Sequence, residues 1–78
     1  MTEKQIESLG EAIASYETLI GNYARLRENL LRIRRGAEDH VMLEIDERLE
    51  ANERVTEALR GDMEATALHL EHLKKRPR

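Results

Sequence analysis

Arg25, Arg27, Arg32, Arg34 and Arg35 fall within eleven residues of one another, and arginine carries a planar fork of N–H donors suited to carboxylate and phosphate oxygens. Two chemistries follow. One is a nucleic-acid surface. The other is a docking patch for an acidic or aromatic groove on another protein, since arginine is favoured where protein interfaces concentrate their binding energy. The net charge of −3 gives no global attraction to nucleic acid, and no aromatic platform interleaves the arginines. Nucleic acid is therefore the alternative partner and a protein the expected one.

Other residue types are less productive. His69 and His72 stand at i, i+3 in "HLEHL", a spacing that can hold a divalent metal. His40 stands alone, and no histidine has a glutamate three positions before it, so the Glu-x-x-His pattern of carboxylate-bridged helical bundles is missing. No metal and no cofactor are expected. Ser8 and Ser15 have no glycine-rich turn to supply an oxyanion hole, and the chain has no cysteine to serve as nucleophile. The tripeptide Arg60-Gly61-Asp62 falls inside a helical pattern and reads as chance. A non-enzymatic protein is expected.

The elements that must position these residues are helices. A chain with 37% charged residues, one proline (Pro77), four glycines and no Phe or Trp argues for long helices and against a sheet. Ile6, Leu9, Ile13, Tyr16, Ile20, Tyr23 and Leu30 recur at steps of three and four, the last step skipping Arg27, and form a heptad seam. Ala12, Leu19, Leu26 and Ile33, seven apart, lie beside it and widen the apolar face beyond that of a two-stranded coiled coil. Thr2 and Gln5 fit a capping box. Gly36, after a basic last turn, reads as a left-handed stop.

A second seam starts near Glu38 or Asp39 and runs through Met42, Ile45, Leu49, Asn52, Thr56, Leu59, Met63, Thr66, Leu70 and Leu73, thickened by Val41 and Val55. The phase passes Gly61 without a slip, so a continuous helix is expected there. The basic tail 74–78, with Pro77, is expected to fray. The predicted helices span about 3–35 and 38–75, a single all-α domain over residues 1–78.

A connection of a residue or two forces an antiparallel hairpin. Folded at Gly36, it sets Leu30 against Met42, Tyr23 against Leu49 and Ile20 against Asn52. The same register brings Asn52 and Thr56 near the Tyr16 hydroxyl, Arg34 near Asp39 and Arg27 near Asp46, so that acids of residues 38–50 should neutralise most of the arginines. One two-helix seam makes a thin rod, and disulfides are excluded, so two hairpins are expected to pair into a four-helix bundle. The expected core and dimer residues are Ile6, Leu9, Ile13, Tyr16, Leu19, Ile20, Tyr23, Leu26, Leu30, Ile33, Ile45, Leu49, Val55 and Leu59.

No apolar run is long enough for a membrane span and none follows Met1 as a signal sequence would. A cytoplasmic homodimer is expected. Fold-level analogy points to an inhibitor, anti-activator or chaperone-like adaptor that sequesters a protein partner, of the kind phages and mobile elements encode.

Overall fold

A computed structural model describes residues 2–75, with the backbone alone for Thr2. It consists of two α-helices, α1 (Thr2–Arg35) and α2 (Asp39–Lys75), packed against each other as an antiparallel hairpin 62 Å long. Arg76, Pro77 and Arg78 of the expected frayed tail lie outside the described residues, while Lys74 and Lys75 belong to α2. The Thr2 side chain of the expected capping box also lies outside them. α2 is continuous through Gly61.

The connection differs from the one expected. Three residues, Gly36, Ala37 and Glu38, join the helices, and no glycine among the described residues adopts a positive φ. Gly36 is not a left-handed stop. The final carbonyls of α1 are instead closed by tightened i→i+3 bonds, with the Gly36 amide donating to Ile33 O at 3.3 Å and the Ala37 amide to Arg34 O at 3.2 Å. Glu38 opens α2: its carbonyl accepts from the amides of Val41 and Met42 at 3.0 and 2.9 Å. Arg32, Arg34 and Arg35 in the last turn of α1, and Asp39 in the first turn of α2, oppose the partial charges of those helix ends.

The longer connection shifts the register by about three residues. Asn52 Nδ2 donates to the Tyr23 carbonyl at 2.9 Å, so Asn52 stands opposite Tyr23 rather than Ile20. Carried along the helices in seven-residue steps, this register sets Leu30 against Ile45, Tyr16 against Leu59 and Leu9 against Thr66. Asn52 does not bond the Tyr16 hydroxyl, and neither does Thr56, whose hydroxyl donates to Asn52 O in its own helix at 2.8 Å. Thr66 meets its hydroxyl requirement in the same way, donating to Asp62 O at 2.7 Å.

A second polar tie lies near the turn. Arg34 Nε donates to Asp46 Oδ1 at 2.7 Å and Nη2 to Oδ2 at 3.3 Å, a fork on a carboxylate. Arg34 therefore meets Asp46 and not Asp39, and Arg27 does not hold Asp46. The hydrogen bond from Arg34 keeps the Asp46 carboxyl below the usual carboxylate range, while the carboxylate raises Arg34 further. Both side chains remain partly open to water, 42 and 43% exposed, so the pair fixes geometry more than it stabilises.

The core is a single strip. Leu30 and Ile45 are the buried apolar residues and Asn52 the buried polar one, and no side chain among the described residues is fully enclosed. The other seam positions, Ile6, Leu9, Ile13, Tyr16, Ile20, Tyr23, Leu49 and Leu59, are half-buried. A globule of 78 residues would have a radius of gyration of about 11.5 Å, whereas the hairpin has 17.8 Å.

Three outcomes follow from this packing. Ile45→Ala, at a side chain 5% exposed, should lower stability by about 2–4 kcal/mol in chemical denaturation. Leu43→Ala, at 67% exposed, should stay within about 0.5 kcal/mol. Asn52→Ala should lose about 1–2 kcal/mol with the bond to Tyr23 O. For Asp46, whose folded carboxyl titrates below its unfolded one, the contribution of the ion pair is complete above the ordinary carboxylate range. It is lost as pH falls through that range to the folded value. Thermal melts of the native chain and Asp46→Asn should accordingly differ slightly near about pH 7 and converge near about pH 2.

Candidate functional site

A two-helix rod offers faces rather than enclosed sites. At about 100° per residue, positions seven apart on a helix stay on one side, and the hairpin's two long sides differ in chemistry. On one side run Ala12, Leu19, Leu26 and Ile33 of α1. Across from them on α2 run Val41, Arg48, Val55, Asp62 and His69. The two strips flank one shallow groove, lined by Leu26, Arg48, Ala51 and Val55 with Tyr23, Leu30 and Asn52 below. Near the open end of the hairpin the same side carries a second depression, formed by Gln5, Ser8 and His69 among others.

The apolar side chains of this face are open. Leu19 is 43% exposed, Leu26 46%, Ile33 57% and Val55 39%. The remaining expected core residues lie in the seam, so the structure divides the expected set into an inner group that holds α1 to α2 and these four that face outward. The exposed area of the chain is 6441 Å², against about 4,900 Å² for a compact monomer of its mass. The excess follows from the elongated shape of the rod, 62 Å long and 14 Å or less across.

The opposite side is a mixed-charge groove. Arg27, Glu28, Glu53, Glu57 and Arg60 line it, with Ala24, Ile20, Asn52 and Thr56 between them. Arg27, placed at a seam position, borders this groove and is exposed.

The five arginines do not form one patch. Arg25 and Arg32, seven apart, occupy the back of α1, and Arg25 Nη2 donates to Asn22 Oδ1 at 2.6 Å. Arg27 and Arg34 share a strip about 200° around the helix from that pair. Arg35, three residues after Arg32, adjoins the first pair at about 60° around the helix. Among the described residues Arg34 is the one arginine with a carboxylate within 4 Å, so the expectation that most of the arginines are neutralised by acids of α2 is not met. That expectation came from the shorter turn, whose register the structure replaces. The signal missed in the sequence was the quiet side: Ser8, Ser15, Asn22 and Asn29 border the leucine strip of α1, and Ala51, Ala58 and Ala65 border Val55 on α2. Small and neutral residues recurring every seven positions are unusual on the exposed surface of so charged a chain.

Among the described residues no three His, Asp or Glu side chains come together as a metal-binding group. His69 and His72 are exposed. No helix among them is long and apolar enough to cross a membrane. Comparison of the chain with protein-family models, with curated proteins and with solved structures finds no match.

Proposed function

We propose that this protein is a non-enzymatic interaction module: a homodimer of hairpins, forming a four-helix bundle, that acts as an inhibitor, anti-activator or adaptor by holding a protein partner. The observation that carries the reading is the neutral face with Leu19, Leu26, Ile33 and Val55 open to water on a chain in which 37% of residues are charged. Exposed apolar residues scattered singly need no explanation, but a contiguous row along a rod marks an association surface. Its dimensions support a second copy as the occupant. A face 62 Å long and 14 Å wide would remove on the order of 1,700 Å² from water over two copies, within the range of about 1,200–2,000 Å² for stable interfaces.

With that face covered, the arginine-bearing end and the mixed-charge groove remain outward in both copies. Exposed Arg25, Arg27, Arg32 and Arg35 supply donors for an acidic or aromatic groove on a protein partner. Their lack of carboxylate partners within 4 Å, among the described residues, also favours a second reading: a nucleic-acid or regulatory-complex binder that uses the same end of α1. The separation of Arg27 and Arg34 from Arg25, Arg32 and Arg35 around the helix supports the protein partner, because tracking a phosphate backbone calls for a continuous basic stripe.

Sedimentation or light scattering should report about twice the 9.1 kDa chain mass. Leu26→Asp should shift that mass to the monomer with loss of helicity, because it places an unpaired carboxylate in the covered face. Thr18→Asp, on the exposed back of α1, should leave the mass unchanged. A helical monomer at micromolar concentration would refute the dimer. The partner class is decided by titrating labelled duplex and single-stranded DNA and RNA at about 50 and 200 mM salt. A binder that neutralises six or more phosphates loses about a thousandfold in affinity over that range. No appreciable binding at either salt, with a defined protein recovered by affinity capture from native cells and lost on Arg32→Glu/Arg35→Glu, is the outcome expected here.

A further inference from the structure

We infer that the two hairpins lie face to face with their turns at opposite ends, on a twofold axis that crosses the rod at Leu19 and Val55. The inference rests on the reading that this face binds a second copy. It adds the orientation and the registry of that pairing.

Three observations select this arrangement. First, Leu19 and Val55 lie near the middles of α1 (Thr2–Arg35) and α2 (Asp39–Lys75). An axis there overlaps the two rods along their whole length, and any slide leaves part of the exposed row uncovered. Second, the charged members of the α2 strip are Arg48 and Asp62, each seven residues from Val55 on opposite sides. Both are exposed in the single chain. A half-turn about Val55 brings Arg48 against Asp62 of the partner subunit, and does so twice. An axis at residue 48 or 62 would instead oppose two like charges. Third, on α1 the half-turn sets Leu26 against Ala12 of the partner subunit, a large side chain against a small one, while Ala51 and Ala58 flank the Val55 contact and let the two α2 helices approach.

The competing arrangement places both turns at the same end and lays α1 of each copy over α2 of the other. Arg48 would then cover Leu26 of the partner subunit, and Asp62 would cover Ala12 of the partner subunit. Each ion would be covered by an apolar side chain of the partner subunit instead of an opposite charge, and only Arg48 has an acid, Glu44, one turn away on its own helix. Leu19 and Val55 would still be covered. The apolar residues alone therefore do not choose between the two bundles; Arg48 and Asp62 do.

A charge-swap cycle tests the pairing. Arg48 and Asp62 are fourteen residues apart on one helix, about 21 Å, so neither can compensate for a change at the other within a chain. Sedimentation equilibrium should show Arg48→Glu and Asp62→Arg each weakening the dimer by about tenfold or more, and the double variant returning to within about threefold of the native affinity. Circular dichroism of each variant at high concentration should show native helicity. Because the chain has no cysteine, a single spin label at Glu38→Cys, an exposed turn residue, reads the orientation directly. Labels separated by about the 62 Å length of the rod are expected. Labels within roughly 25 Å of each other, the width of a bundle with label arms, would overturn the orientation while leaving the dimer intact, as would singly weakened variants that the double change does not rescue. A monomeric native chain would overturn both the inference and the dimer beneath it.

Discussion

Two α-helices in contact touch along a line, and everything distinctive about this protein follows from having only one such line. Each helix turns a strip of its surface inward and leaves the rest to solvent, so the seam can half-bury many side chains but enclose none. Leu30 and Ile45, which the Asn52–Tyr23 register sets against each other, are the apolar residues hidden best. Further along, the seam residues other than Asn52 keep one edge in water. The free energy of hydrophobic burial scales with the area removed from water, and a single strip removes little of it for the number of residues that must be ordered. The outward row of Leu19, Leu26, Ile33 and Val55 is apolar area that the seam leaves open to water.

The polar residues of the seam have a different task. Leucine and isoleucine at steps of three and four present nearly the same surface after a shift of one turn, so their attraction is weakly selective about which residue faces which. Asn52 is selective. Its amide needs an acceptor across the interface, finds it at the Tyr23 carbonyl, and loses it on any shift. The forked Arg34–Asp46 pair performs the same service near the turn. Thr56 and Thr66 satisfy their hydroxyls inside α2 and so tolerate a half-buried seam without demanding a particular neighbour.

The charge distribution divides the rod lengthwise. Arg27, Glu28, Glu53, Glu57 and Arg60 gather on one side, while the opposite side carries Glu44, Arg48, Asp62 and His69 among small and apolar residues. Among the described residues the hairpin presents open grooves along its length, with no side chain fully enclosed.

The sequence by itself determined the helices, the inward positions and the hairpin. Heptad spacing depends only on the repeat of the α-helix, so every seam residue from Ile6 to Leu30 and from Met42 to Leu73 was legible, and the continuity of α2 through Gly61 followed from an unbroken phase. The turn was not legible, because Gly36 permits a left-handed stop without requiring one. The tertiary structure closed α1 with tightened bonds and used three linking residues. That choice decided the register, and with it the partners of Asn52 and Arg34. A pattern of threes and fours cannot separate two registers three residues apart, since each sets seam positions against seam positions. Only the packed pair, with an amide that must find its acceptor and a guanidinium that must find its carboxylate, distinguishes them.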